Sequence, residues 1–232
     1  MSNIRLFFQE SLSLNLKSNL DKPQSHYISK VMRINKGQSF VLFNHSGEWE
    51  AKVQNVYKGI VEFIIIKKLR SLENEKEIWL AFSPIKLNYL NLMIQKATEL
   101  GVTRFIPILT ERTIVRKLNE KRINKIIKEA IEQSNRLIIP KLDKIMKLDN
   151  FLKSKQNINI IFGDLNTEKT KLNLEKKEPI CILIGPEGDF SIKERENILK
   201  HKKIFPIKIN KNIFKSETAA ISMISIVSFN ML

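Results

Sequence analysis

Between the apolar run Cys181–Ile184 and the polar stretch Ser191–Glu194 the chain turns through Gly185-Pro186-Glu187-Gly188-Asp189. These residue types suit recognition of a ligand by backbone. Gly185 and Gly188 lack Cβ atoms, so their peptide groups can be approached closely. Pro186 locks its own φ and stiffens the turn. A rigid loop of amides and carbonyls can hydrogen-bond a purine edge or a ribose. Its position, after a buried strand and before a helix, is where parallel α/β sheets bind ligands. The same spacing also makes an ordinary strand-to-helix turn, and spacing alone does not separate the two.

A second connection, Ile209–Ser216, leads from a strand into the last helix. Glu217 and Thr218 fall in that helix's first turn, where an acid is favoured by the helix dipole whether or not it does chemistry. Other nucleotide and hydrolase signatures are missing. There is no G-x-G-x-x-G opening the α/β part, no G-x-x-x-x-G-K-[ST] and no G-x-S-x-G. His26, His45 and His201 are scattered, so no metal or catalytic cluster is legible. Cys181 is the sole cysteine, which excludes an internal disulfide and argues against a thiolate zinc site. No metal is expected.

The elements that must position these turns follow from periodicity. Residues 1–70 are β-rich: Gln38–Asn44, Glu48–Val56 and Gly59–Leu69 are short β-branched and aromatic runs. Asn44–Gly47 and Lys58-Gly59 read as the turns between them, which suggests a small barrel or curled sheet. Ser25–Ile34 reads as a short helix. Residues 71–77, polar and charged, read as a linker. From 78 to 232 strands and helices alternate. Ile78–Ser83 reads as a strand, with Ser83 capping a helix and Pro84 at its first position. That helix carries Leu87, Leu90, Ile94 and Ala97 on one face and stops at Gly101. Val102–Leu109 follows as a strand, then an amphipathic helix with Ile123, Ile127 and Ala130 inward. Ile158–Asp164 and Cys181–Gly185 read as buried strands. Ser191 and Glu194 fit a capping box. A helix, the strand Phe205–Ile209 and a final helix from Ser216 complete the pattern. Alternation of this kind implies an α/β domain with a mostly parallel sheet covered on both faces.

Size and charge bound the partners. The chain has 232 residues, 43% of them hydrophobic, enough for one large domain or two modest ones. No apolar run approaches the ~20 residues of a membrane span, and the N-terminus does not read as a signal peptide. A cytoplasmic protein without a membrane partner is expected. Forty basic against 24 acidic residues give a formal charge of +16. Such an excess attracts polyanions, nucleic acid above all. The richness in Lys, Ile and Asn is also what an A+T-biased coding sequence yields.

Taken together, Ile182–Glu194, the later Glu217-Thr-Ala-Ala-Ile221, the helix end Ile94–Val102 with Thr110-Glu-Arg112, and Glu129–Arg136 resemble the ribosomal small subunit methyltransferase E family, of the SPOUT class. The likeness runs in order from His26–Gln38 to the last helix. It implies a C-terminal SPOUT α/β trefoil-knot domain, a small N-terminal PUA-like β-barrel that binds RNA, and a homodimer. It implies S-adenosylmethionine as cofactor and methylation of N3 of a uridine in 16S ribosomal RNA of the small subunit. The cofactor would sit among three loops, against Gly163, against Ile184, Gly185, Pro186, Glu187 and Gly188, and against Ile209, Asn210, Ile213, Phe214 and Thr218. Lys215 would stabilise charge on the uracil, and Glu217 would orient Lys215 or accept a proton. Arg33, Arg112 and Arg136 are the candidate RNA contacts.

The chain departs from the family pattern in places. Asn210 stands where the family has glycine, Asn212 and Lys215 where it has arginines, and Asp189 where it has the second glycine of its turn. Lysine keeps the charge of arginine but loses the bidentate fork. The departures keep two rival readings open: a non-catalytic RNA-binding or assembly factor on the same scaffold, and a SPOUT methyltransferase with another RNA target. Three further expectations follow. Gly188→Val should weaken cofactor binding more than folding. RNA binding should fall steeply with salt. The final helix, apolar on nearly every face, should lie in a dimer interface, so that lysine at Ile224 or Val227 would yield a monomer.

Overall fold

The computed structural model describes residues 4–72, 74–171 and 179–231. The chain divides into two compact units: Met1–Asn74 with Ile131–Ile138, and Glu75–Ala130 with Ile139–Leu232.

The first unit contains β1 (Arg5–Phe7), β2 (Lys17–Asn19), α1 (Lys22–His26), β3 (Ser39–Asn44), β4 (Gly47–Tyr57) and β5 (Ile60–Arg70). Its sheet order is β1-β3-β4-β5-β2. β4 and β5 slip register at three points, and such irregularities bend a long hairpin into a curl. Val61, Phe63 and Ile65 alternate inward along β5 and join Leu6, Leu20, Phe40 and Trp49 in one core. Both expected hairpin turns are present. A Cβ on Gly47 would lie 2.5 Å from the Arg70 carbonyl oxygen, at a φ of +118°, so that turn requires glycine. Lys58 and Gly59 both have positive φ, which suits the right-handed twist of the flanking strands. The expected helix near Ser25 is α1 continued by a π-helical turn, Tyr27–Val31.

Ile131–Ile138 is held in this unit by Arg5. Its guanidinium donates to the carbonyls of Ile131 and Glu132 at 3.1 Å and of Arg136 at 3.0 Å, and its Nε meets Glu48 at 2.6 Å. Nothing in the sequence pattern links a residue so early in the chain to this stretch.

The second unit contains β6 (Ile78–Phe82), α2 (Leu87–Glu99), β7 (Val102–Leu109), most of α3 (Glu120–Gln133), β8 (Lys141–Leu142), β9 (Met146–Lys147), α4 (Leu148–Ser154), β10 (Asn159–Gly163), β11 (Ile180–Ile184), α5 (Ile192–Leu199), β12 (Ile204–Ile207) and α6 (Ser216–Met231). The strands pair in parallel in the order β12-β10-β11-β6-β7-β8, with β9 also on β7. β6 and β11 are buried along their whole length, which is why they read as continuous apolar runs. Trp79, Ala81, Phe162, Cys181 and Leu183 form one face of the core with Phe151 of α4 and Ile198 of α5. The intervening residues, Leu80, Phe82, Ile182 and Ile184, point to the opposite face. There α6 packs on β6, β11 and α2. Pro206 lies in β12, an edge strand, where a missing amide donor is tolerated. Burial pushes the Cys181 thiol up to about 12, so it is an inert core residue.

Several local expectations need correction. Ser83 does not cap a helix. Its amide bonds the Ile184 carbonyl at 3.1 Å and extends the β6–β11 ladder. The chain stays extended until Lys86, and α2 starts at Leu87 without a side-chain cap. Leu87 is half-exposed, and the buried stripe is Leu90, Met93, Ile94, Ala97 and Thr98. Ile224 and Val227 are fully buried within one chain, so lysine there would break the core and not an interface. The exposed residues of α6 include the apolar Ile226 and Phe229, the latter 76% exposed, and the polar Thr218, Ser225 and Asn230. The strands β1, β2, β8 and β9 and the helix α4 were not expected. The strands have two or three residues each, too few for a period to register.

Candidate active site

Three connections leave the carboxyl ends of β10, β11 and β12 side by side. They enclose a cavity of about 470 Å³, within the ~300–1,000 Å³ range of small-molecule sites. The adjacency comes from strand order, because β10 lies between β11 and β12. The chain then crosses from β12 at the sheet edge back to α6, which rests on β11 and β6, so the last connection passes over the other two strand ends.

The wall after β10 is Gly163, Asp164 and Leu165. A Cβ on Gly163 would come within 3.4 Å of the Met223 methyl of α6, so the absence of a side chain lets that helix approach. Asp164 is buried. Arg195 of α5 grips its two oxygens at 3.0 and 2.8 Å, and the Asn166 amide donates to it at 3.0 Å. That bidentate pair holds the Arg195 pKa above its ordinary value.

The wall after β11 is Ile184, Gly185, Pro186, Glu187 and Asp189. A Cβ on Gly185 would sit 2.9 Å from the Phe190 ring, which itself packs edge-on against Phe162 at 5.5 Å between centroids. The left-handed residue of this turn is Asp189, at φ +59°. This explains why glycine suits the position in the family pattern, and why Asp, which tolerates that conformation and here accepts the Phe190 amide, can replace it. The Ser191–Glu194 capping box is formed as expected, and the second Glu194 oxygen accepts the Glu111 amide at 2.8 Å.

The wall after β12 runs from Ile207 to Ser216 and includes Ile209, Asn210, Ile213, Phe214 and Lys215. Asn210 does not have positive φ, so glycine is not required there. Its side-chain oxygen accepts the Asn212 amide at 3.0 Å and closes the loop in glycine's place. Ser216 donates to the Gly185 carbonyl at 3.0 Å and ties this wall to its neighbour. Lys215 lies 5.1 Å above the Tyr89 ring. No ion pair joins it to Glu217 among the described residues. Glu217 lines the cavity and is buried.

Of the residues singled out from sequence, Gly188 and Thr218 do not line the cavity. Gly188 is exposed, its carbonyl accepts from Arg112 at 2.7 Å, and a Cβ there would meet only Arg112 at ordinary contact distance. Gly188→Val is therefore not the substitution that tests the site, and Gly185 is. Arg33 and Arg112 are exposed and lie in different units, whereas Arg136 is buried. Asp164, Lys86, Tyr89 and Ile114 line the cavity unforeseen. Asp164 had a signal, a carboxylate directly after a strand end. Lys86 and Ile114 come from other connections and Tyr89 from the first turn of α2, and they had none. No group of residues able to hold a metal occurs among the described residues.

The RNA methyltransferase domain family matches residues 72–228, and the RNA methyltransferase PUA domain family matches residues 20–66. A ribosomal RNA small subunit methyltransferase E of Rickettsia conorii is 30% identical over 227 residues, covering 95% of this chain and 93% of that protein. Its namesake in Aquifex aeolicus is 29% identical over 231 residues, covering 96% and 98%. Among solved structures, the ribosomal RNA small subunit methyltransferase E of Neisseria gonorrhoeae, bound to S-adenosyl methionine, superposes with a TM-score of 0.90 at 24% identity over 98% of each chain. A protein of Legionella pneumophila, in complex with the same cofactor, gives 0.88 at 27% identity, covering 99% of this chain and 98% of that one.

Proposed function

We infer that this chain, which belongs to the ribosomal RNA small subunit methyltransferase E family of RNA methyltransferases, is an S-adenosylmethionine-dependent ribosomal RNA methyltransferase. The supporting observation is the cavity at the carboxyl ends of β10, β11 and β12, to which two of the motifs that carry the family resemblance, Ile182–Glu194 and Glu217–Ile221, contribute walls.

The residues present fit the cofactor. Ile184, Ile209, Ile213 and Phe214 offer an apolar bed for adenine, and the Gly185–Glu187 backbone is free of side-chain bulk at its first residue. Bound there, S-adenosylmethionine supplies a methyl group on a sulfonium, and loss of that methyl leaves a neutral thioether. The acceptor we propose is N3 of a uridine in small-subunit ribosomal RNA. N3 must shed its proton as the new bond forms, so charge accumulates on the uracil oxygens. Lys215, exposed and lining the cavity, is the group we propose to offset that charge. Arg33 and Arg112, both exposed, are the proposed phosphate contacts.

Pairing of two copies completes the proposal. α2 and α6 pack together and leave Tyr89, Leu92, Ile226 and Phe229 exposed. A twofold-related copy would cover them. We place the protein in the cytoplasm, and no helix among the described residues is long and apolar enough to cross a membrane. The trefoil knot expected of the class would be the threading of the last connection over the two strand ends.

Calorimetry should detect S-adenosylmethionine uptake, and mass mapping of small-subunit ribosomal RNA from a deletion strain should show one uridine losing its methyl group. Cofactor uptake without a lost methyl would point to another RNA target. No uptake would leave an RNA-binding scaffold. Light scattering should give a dimer that Phe229→Lys splits, and a monomer at micromolar concentration would remove the dimer from the proposal.

A further inference from the structure

Four carboxylates line the cavity, and three of them have partners in the chain. Asp164 is gripped by Arg195 and the Asn166 amide. Glu187 is exposed and accepts the Lys86 amide at 3.4 Å. Asp189 is exposed and accepts the Phe190 amide at 2.8 Å. Glu217 differs. It is 6% exposed, lines the cavity, and has no hydrogen-bond or ion-pair partner among the described residues. Burying a carboxylate without a partner is costly, and native structures seldom leave one so without a use for it. The first turn of α6 lowers that cost by its dipole but supplies no counter-charge. The cationic side chains lining the same cavity do not pair with it. Lys215 lies over Tyr89, and neither Lys86 nor Lys208 forms an ion pair with Glu217.

We propose that Glu217 is the counter-charge for the cationic methionine end of the cofactor, and so determines that this cavity takes a positively charged cofactor in preference to an uncharged one. The proposal rests on the reading of the cavity as the S-adenosylmethionine site. A carboxylate that the chain shelters from most of the solvent but leaves unpaired can neutralise a cation entering the cavity more strongly than one fully in water. It gives Glu217 a binding role, distinct from proton acceptance from the RNA.

The test is calorimetry on the full chain and on Glu217→Gln, which keeps shape and removes charge. Three probes are used: S-adenosylmethionine, with sulfonium and ammonium; S-adenosylhomocysteine, with ammonium alone; and methylthioadenosine, with neither. The expected result is S-adenosylmethionine affinity lower by about ten- to a hundredfold, the worth of one charge-assisted contact, with methylthioadenosine unchanged. S-adenosylhomocysteine then identifies the cation: unchanged affinity assigns the sulfonium, and a parallel loss assigns the ammonium. Equal weakening of all three probes would overturn the proposal. So would unchanged affinities together with a lowered melting temperature, which is the signature of a helix-start role. Should Glu217→Gln unfold, the equally charge-free Glu217→Ala takes its place: in the folded variant, weaker S-adenosylmethionine binding with methylthioadenosine unchanged supports the proposal, and unchanged binding of both probes overturns it. If the unmodified chain binds none of the probes, it is the function that fails.

Discussion

Two walls of the cavity are built to different standards. The turn after β11 is held from every side. Phe190 fills the space beside Gly185, the Asp189 amide bonds the Pro186 carbonyl at 3.0 Å, Arg112 holds Gly188, and the capping box anchors Ser191. The connection after β12 is open. Asn210, Lys211, Asn212 and Lys215 are exposed, Ile213 is 81% exposed, and the ties among the described residues are mostly at its ends: the Asn210–Asn212 turn, Lys208 on the Lys169 carbonyl and beside Glu168, Lys215 over Tyr89, and Ser216 on Gly185. One wall is therefore formed before a ligand arrives. The other has apolar side chains such as Ile213 that only a ligand would bury. With the proposed cofactor bound, the stiff wall would set its position and the open wall would be ordered by it.

The strongest way to break the contrast is Gly185→Val. The new side chain would force Phe190 out of its packing, with an expected cost of about 1–3 kcal/mol and a melting temperature several degrees lower, and cofactor binding should be lost with it. Gly188→Val should change both by little, because its new side chain meets only Arg112 at van der Waals distance. Calorimetry and thermal unfolding of the pair check this. If Gly188→Val proves the more damaging, the turn is not held as described.

Ile213→Ala tests the open wall. Its exposure predicts an unchanged melting temperature but a cofactor affinity lower by roughly three- to tenfold, since the ligand buries the side chain. Hydrogen exchange sharpens the same point: cofactor should slow exchange across 209–215 much more than across 185–190. Equal protection would show that the two walls do not differ.

Ser191→Ala removes one half of the capping box and should cost about 1 kcal/mol, read by denaturant unfolding, with cofactor affinity nearly intact because the remaining contacts still define the turn.

The smallest effect concerns His201, in the segment that joins the two walls. Burial lowers its pKa below the ordinary 6.5, against a smaller opposing pull from the Lys155 backbone, and its Nε2 makes no full hydrogen bond among the described residues. The unfolded chain therefore binds the proton more readily than the folded one. The contribution of His201 to stability is present above about pH 6.5 and lost as pH falls below it. His201→Asn should flatten that part of the stability–pH curve between pH 7 and 5, and an unchanged slope would dismiss the histidine as its source.

How much of this was legible in the chain itself depended on the range of the interactions. The parallel sheet, the hairpin turns, the capping box and the turn at Gly185 are set by periods and by backbone requirements a few residues long, and the order of residues was enough for them. Ser83 shows the limit even locally: it has the right type and the right neighbour, Pro84, for a cap, but its hydroxyl bonds nothing among the described residues, while its amide extends the ladder to Ile184, far along the chain, and the helix starts only after Lys86. The composition of the site depended on such distant meetings. Strand order brought the ends of β10, β11 and β12 together, and only that placed Asp164, Tyr89 and Ile114 on one cavity while turning Gly188 toward Arg112. Arg5 joined Ile131–Ile138 by three carbonyls that no spacing announces. The low exposure of Glu217, unpaired among the described residues, is likewise a property of the packed molecule. Residue order specifies each element through neighbours along the chain, whereas the identity and exposure of groups at a site are decided by which elements meet in space.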